Sequence, residues 1–489
     1  MLSCSHSIRI PRKLDAHRVL PNQWQRPVLF HGGFMAQNKK LLRDLTVGNT
    51  ALTLYRLAIP VMISNLLQTI YNMADMMIVG RFEGSTGLSA VSVGGDVMHL
   101  YTFIGMGFAT AGQIIVSQYI GANKRRELNE VIGTMFSFLV ISGLGLMLIS
   151  ILSLDPFLRI LNVPALSYAG ARAYVICCSF GLVFIFGYNA VSAILRGMGD
   201  SRHPMIFIGY AAIMNIILDL LFVGYFRIGP AGAAIATVLA QGTSLILALS
   251  YLYRNKEQFC FDFRRSSFRI VPDNMKKILK LGIPIAIQTS AASISTLFVS
   301  SHVNTYGVAA SAITGAGAKL SSIALIVANA LNTSGASIIG QSFGAGKPDR
   351  VRRVFFTDFF TVLAFTSLLS LWIMAVPEMV FGLFASDPDV LAMSHLYAPV
   401  AAITFLGFSV RSPSLALING LGQSRINFIM GIAEGFILRI GLTILLGSIL
   451  GFGLQGYWYG SAIASYGYGM VVFPYFFSGR WRNLKRLSD

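Results

Sequence analysis

Residues 58–82, AIPVMISNLLQTIYNMADMMIVGRF, form an apolar run long enough to cross a lipid bilayer, with one carboxylate, Asp75, inside the second half. Asn65, Gln68, Asn72 and Asp75 recur at intervals of three, four and three residues. At about 3.6 residues per turn this spacing puts all four on one helical face. A carboxylate near mid-bilayer costs roughly 3 kcal/mol or more, so the stripe must face a bundle interior or a watery cavity. It reads in two ways: as polar glue between helices, or as the ion- or proton-binding face of a transporter.

The rest of the chain repeats the apolar pattern. Of its 489 residues 54% are hydrophobic and only 12% charged, with a mean hydropathy of +0.66. Soluble domains carry about 25% charged residues. Continuous apolar runs separated by short basic loops indicate a polytopic helical membrane protein, and the lack of strict alternation argues against a membrane β-barrel. The net charge of +18 then needs no nucleic-acid partner, because cytoplasmic loops of membrane proteins are basic. Cys4, Cys177, Cys178 and Cys260 have no zinc or redox spacing. Cys177 and Cys178 read as small apolar packing residues. His99, His203, His302 and His395 are far apart in sequence, unlike the local cluster expected of a metal-dependent membrane enzyme.

Residues 1–45 read as a disordered basic tail. The run His31-Gly32-Gly33-Phe34-Met35 fits a ribosome-binding sequence read through into protein, which makes Met35 a candidate start. Twelve spans follow, at 52–78, 87–118, 131–153, 168–195, 204–226, 231–253, 281–303, 309–341, 354–376, 393–418, 427–450 and 455–478. The implied domains are an N-terminal six-helix lobe (46–253), a solvated cytoplasmic linker (254–280), a C-terminal six-helix lobe (281–479) and a short tail (480–489). Loops after the even-numbered spans, with the C-terminal tail, hold 22 Lys and Arg. The opposite loops hold four: Arg81, Arg159, Arg172 and Arg227. Both termini are therefore expected in the cytoplasm.

The halves repeat. Gln118-Tyr119-Ile120-Gly121-Ala122-Asn123-Lys124 answers to Gln341-Ser342-Phe343-Gly344-Ala345-Gly346-Lys347, 223 residues on. Leu195-Arg196-Gly197-Met198-Gly199-Asp200-Ser201-Arg202 answers to Ile418-Asn419-Gly420-Leu421-Gly422-Gln423-Ser424-Arg425 at the same offset. Pro60 answers to Pro284 and Gly232 to Gly456, both at 224. Six spans per half make these parallel repeats around an axis along the membrane normal, with a cavity between two bundles. The Gly344–Pro348 loop lacks the glycine spacing and the Ser or Thr of a phosphate-binding loop, and it reads as a tight turn.

Asn72-Met73-Ala74-Asp75-Met76-Met77-Ile78-Val79-Gly80, the Gly121-Ala122-Asn123 loop and the two Gly-x-Gly-x-Ser-Arg loops resemble motifs of the multidrug and toxic compound extrusion (MATE) family, in its bacterial DinF-like branch. The resemblance spans about residues 50–478. It implies an all-α membrane protein of twelve helices in two pseudo-symmetric bundles. It also implies a cation site in the N-terminal lobe on Asp75, Asn215, Asp219 and Thr237, with Asn189 and Tyr174 as weaker members. Bending of the first helix at Pro60 would couple cation to substrate. The residue chemistry agrees: Asn215 and Asp219 share a helix face, as do Thr237 and Gln241. Two nearby carboxylates suit either an exchangeable proton or Na⁺.

The position matching Asp75 is near Val299, and spans seven and ten carry no carboxylate; Gln288 is only a polar substitute. The second lobe is credited with Lys319, Arg411, Glu434 and Arg439. Glu434 and Arg439 read as a structural pair or as substrate contacts, and Lys319 as a cavity residue or the partner of an acid. Asp96 is placed near the outer end of span two. Pro60 and Pro284 read either as kinks or as harmless first-turn prolines.

Gln68, Tyr71, Asn72, Met76, Gln288, Lys319 and Arg439 are the candidate cavity residues, with Met73 beside them; methionines adapt to varied ligands. The expected protein is a multi-pass antiporter of the bacterial inner membrane, a monomer without cofactor or enzymatic activity. It exports amphipathic, often cationic compounds against H⁺ or Na⁺. The rivals are a flippase for lipid-linked sugars, which calls for a strongly basic cavity, and a membrane enzyme or sensor, which calls for larger loops.

Overall fold

The computed structural model describes residues 44–161, 163–384 and 387–489. The expected tail up to residue 43, with the candidate start at Met35, lies outside the described residues. Thr50–Gly121 is continuously helical except at Gly84, whose φ of 68° and ψ of −161° break the helix. At 1.5 Å per residue a straight helix of that length would be about 108 Å long, more than three bilayer cores. It is therefore two spans, α1 (50–83) and α2 (85–121), that turn at Gly84.

Four more helices complete the first half: α3 (Arg125–Leu152), α4 (Ala165–Gly197), α5 (Arg202–Tyr225) and α6 (Pro230–Arg254). The second half repeats the order with α7 (Pro272–Asn304), α8 (Val308–Gly344), α9 (Pro348–Ala375), α10 (Ser394–Leu421), α11 (Ser424–Ile449) and α12 (453–477). This is the expected twelve-helix, two-repeat architecture.

Each half has its own apolar core, but α1 and α7 cross between them. Leu54, Leu57 and Ala58 at the start of α1 pack in the second core, whereas Val79 near its end packs in the first. Ile278, Leu281 and Ile285 of α7 pack in the first core, and Val299 and Val303 in the second. The first-turn reading of the prolines is corrected here: Pro60 and Pro284 lie well inside their helices. Each removes one backbone hydrogen bond close to where its span leaves one core for the other.

The solvated-linker reading is also corrected. Phe259 and Phe261 are buried, Ser137 Oγ donates to Phe268 O at 2.7 Å, and Val271 N donates to Thr134 Oγ1 at 3.1 Å. The charges of this loop point outward while its phenylalanines bind it to α3, and α7 begins at Pro272, inside the expected linker. Truncating a buried Phe costs about 3–5 kcal/mol. Phe261→Ala is therefore expected to lower the unfolding midpoint in detergent by several degrees, while Ser266→Ala, on the exposed side, leaves it unchanged.

On the face that carries Leu45 and Leu487, the halves close on each other in matching pairs. Gln118 Nε2 donates to Gly420 O at 2.8 Å, and Gln341 Nε2 donates to Gly197 O at 2.9 Å. These bonds are equivalent at the 223-residue offset. The oxygens of the same side chains hold the segments before α1 and after α12: Gln341 Oε1 accepts from Leu45 N at 3.0 Å, and Gln118 Oε1 from Leu487 N at 2.9 Å. Lys347 Nζ donates to Thr46 O at 3.1 Å, and its counterpart Lys124 donates to Ser488 O. Arg350 adds bonds to the carbonyls of Leu45, Val47 and Gly48. Asp44 accepts from Thr46 N and Oγ1; burial pushes its carboxyl up, but these bonds and the charges of Lys347 and Arg350 hold it below the usual range. Asn123 (φ 57°) and Gly346 (φ 68°), again equivalent, take the left-handed conformation that ends α2 and α8. The glycine loops are thus helix stops that bring the two lobes together.

Candidate functional site

Asp75 lies about seven turns into α1 with only 6% of its surface exposed. Asn215 and Asp219, one turn apart on α5, are buried at 1% and 0%. Asp219 is the last residue before α5 widens into a π-helical stretch, Leu220–Tyr225; such widenings recur at functional sites. Asp75 and Asp219 lie within electrostatic reach of one another, with Tyr174 and Cys178 of α4 beside them. Asn215 Nδ2 donates to Thr237 Oγ1 at 3.4 Å, and Gln241 Nε2 donates to Tyr71 Oη at 3.4 Å.

The decisive feature is what these groups do not bond. Asp75 Oδ1, Asn215 Oδ1 and both carboxyl oxygens of Asp219 are buried without a hydrogen-bond partner among the described residues. Buried polar oxygens are nearly always satisfied, and each exception calls for a reason. Four orphaned acceptors in one lobe, three of them on two carboxyls, make a receptacle for positive charge: a hard cation with oxygen ligands, or a proton that turns one carboxyl into a donor.

Most of the expected cation residues are therefore brought together: Asp75, Asn215, Asp219, Thr237 and Tyr174. Asn189 is placed elsewhere. It sits 15 residues beyond Tyr174 on the same helix, about 22 Å along the axis, and among the described residues no hydrogen bond joins it to the carboxylates. Tyr71, expected in the cavity, faces Gln241 inside the lobe instead. Asn72, Met73 and Met76 are exposed on α1, and Gln68 is half-buried. An exposed Asn on a membrane span belongs beside water, not lipid.

The second lobe carries the opposite charge. Glu434, 1% exposed, is held between Arg439 Nη2 at 2.9 Å and Arg411 Nε at 3.4 Å, and Arg411 lies over the Tyr468 ring. At an offset of 224, Arg439 stands where the first lobe has Asn215. Gln288 is buried against Gly431 of α11, and Lys319 is exposed on α8 without an ion pair among the described residues. Removing one member of a buried ion network typically costs 3–5 kcal/mol. Glu434→Gln, which strands two buried guanidinium groups, is expected to lose most of its folded yield in detergent, as read by size-exclusion chromatography.

The carboxylate inventory of this lobe is corrected by a residue that sequence reasoning missed. Asp358 of α9 is 0% exposed and contacts Ser412 of α10. Its signal was as plain as that of Asp75: a single acid in an apolar run, Phe355-Phe356-Thr357-Asp358-Phe359-Phe360.

The MatE family model matches the chain twice, over residues 60–221 and 284–445. The protein belongs to the MATE family. The two matches coincide with the two lobes and start at the two prolines. Among relatives, "Probable multidrug resistance protein YpnP" of Bacillus subtilis (strain 168) is 27% identical over 91% of this chain and 99% of its own. "Probable multidrug resistance protein NorM" of Thermotoga maritima is 23% identical over 88% and 92%. Among solved structures, the outward-facing conformation of a multidrug resistance MATE transporter of the MOP superfamily superposes with a TM-score of 0.81 at 22% identity, covering 89% of this chain and 96% of that one. This MATE chain thus has a multidrug efflux family's fold, with buried acids in one lobe and paired arginines in the other.

Proposed function

We propose that the protein is a secondary antiporter that exports amphipathic, often cationic organic compounds in exchange for inward H⁺ or Na⁺ carried by Asp75, Asp219 and Asn215. The observation that carries this reading is the set of four unpartnered oxygens on those three buried side chains. With the pair neutralised by a proton or Na⁺ the first lobe packs stably; emptied, two like charges repel in a low-dielectric interior. A ligand that binds one conformation better than another shifts the population between them, which is what alternating access needs. The basic-loop bias supports a cytoplasmic location for the face carrying Leu45 and Leu487. Its closure then fits a cavity open to the outside. Multidrug resistance names among the relatives support the substrate class.

The flippase reading calls for a strongly basic cavity. Arg411 and Arg439 share Glu434 as counter-charge, which favours export of amphipathic compounds instead. The test is accumulation of a fluorescent cationic amphiphile in bacterial cells lacking their own efflux pumps. Expression of the intact chain is expected to lower accumulation, and dissipating the H⁺ and Na⁺ gradients to restore it. Accumulation unaffected by expression across a panel of such dyes would contradict the substrate class.

A further inference from the structure

We propose that Asp358 is a proton-carrying site of the second lobe, loaded and unloaded through Ser412 from the crevice between α8 and α10. Asp358 is fully buried, and its Oδ2 has no hydrogen-bond partner among the described residues. Ser412 Oγ lies 2.9 Å from Asp358 Oδ1 and 3.0 Å from the carbonyl oxygen of Ala328. A hydroxyl has one proton to give, whereas an ionised carboxylate and a carbonyl only accept. With Asp358 ionised, one of those two contacts lacks a proton. With Asp358 protonated, the chain is complete: its O–H donates to Ser412, and Ser412 donates to Ala328 O.

The surroundings agree with a proton and not a metal ion. Hard cations gather roughly six or more oxygens, and this site offers the two of Asp358, Ser412 Oγ and Ala328 O. Gly335 of α8 closes the side of Oδ2: a Cβ there would stand 3.4 Å from that oxygen. Among the described residues no ion pair balances the carboxylate. The element packed on one side contributes Gly335 and the other Ser412; Arg411 turns to Glu434, and Arg350, two turns back on α9, is bonded to Leu45, Val47 and Gly48. Isolated in this way, the acid is far cheaper to bury neutral than ionised.

A crevice beside Ser412 offers a way out for the proton. Ala328, Asn329, Asn332, Arg411 and Ser412 line this small crevice between α8 and α10, and Asn332 Oδ1 in it has no partner among the described residues. Ser412 thus lies both on the crevice and against Asp358. Deprotonation passes H⁺ from Asp358 through Ser412 to crevice water and leaves a carboxylate; reloading reverses it. The fold does not require an acid here. At the 223-residue offset Gly335, Asp358 and Ser412 correspond to Gly112, Met135 and Asn189, and in the first lobe the Met135 thioether packs directly against Gly112.

Protonation of Asp358 stands without the antiport reading; its part in coupling rests on that reading. The experiment is infrared spectroscopy of the purified full chain in lipid nanodiscs across a pH series. Wild type is expected to show a protonated-carboxyl C=O stretch that is absent in Asp358→Asn, retained in the Asp75→Asn/Asp219→Asn double variant, and lost as pH rises. A spectrum unchanged by Asp358→Asn, or a band of constant intensity at every pH, would overturn the proposal. Asp358→Met, which copies the first lobe, guards against a folding defect in Asp358→Asn and should fold. In proteoliposomes it is expected to export with one proton fewer per substrate. An unchanged ratio would overturn the coupling role, and lack of all transport by wild type would instead fault the antiport reading.

Discussion

Asp219→Asn is expected to reduce gradient-driven efflux by about 5–150-fold, the range of a typical coupling free energy of 1–3 kcal/mol, with the protein still folded. Asn keeps the shape of the side chain but cannot take up a proton or supply a formal charge. Asp219 is completely buried and both its oxygens lack partners, so the amide leaves no broken network behind. Asp75→Asn should do the same. The informative variant is the double. Groups that act as one unit lose function together, and their effects do not add. The double variant is expected to match either single variant in dye efflux from cells at equal expression. Losses that multiply would mean that the carboxyls act independently and that their proximity is incidental.

The second large effect is expected where the lobes touch. A Cβ added to Gly344 would stand 2.3 Å from Gln118 O, and one added to Gly121 would stand 2.0 Å from Gln341 O. Both obstacles are backbone, which cannot swing aside as a side chain can. Gly344→Val and Gly121→Val should therefore wedge this face open, which blocks closure without touching either core. Moving a two-state equilibrium from 1:99 to 99:1 takes about 5.5 kcal/mol, and a sub-van-der-Waals backbone clash is of that order. Efflux is expected to fall at least about tenfold. A cysteine placed at Ser117, buried in the closed form against Gly340, should be alkylated much faster in either valine variant. Equal alkylation rates in wild type and variants would show that the contact is not a gate.

The fold was legible because lipid leaves few choices: a span must be helical and about twenty residues long. The repeat was legible because its helix stops need particular residues, such as the left-handed Asn123 and Gly346. Asp75 was legible because an acid is costly in an apolar helix and therefore conspicuous, whereas Asn215 and Asp219 followed from the resemblance to the MATE family. What failed did so for physical reasons. A motif resemblance gives the helix of a residue but not its depth relative to a neighbouring helix, and Asn189 and Tyr174, both implied by it, sit some four turns apart. Asp358 carries the same local signal as Asp75, but a lone acid in an apolar run does not show which helix it packs against. In the 254–271 segment the charges dominate the composition, whereas burial is decided by Phe259 and Phe261. Neither the π-helical widening beside Asp219 nor the crossing of α1 and α7 between cores has a local sequence signal; both arise from packing.

The most direct test of the central claim is cation flux in proteoliposomes, with H⁺ and Na⁺ gradients imposed separately and substrate supplied on one side. One of these gradients is expected to drive substrate uphill, substrate in turn to drive that cation the other way, and Asp75→Asn and Asp219→Asn to reduce both movements together. Substrate transport by the two variants at the wild-type rate and with wild-type cation flux would contradict it, and would leave the four unpartnered oxygens without the role assigned to them.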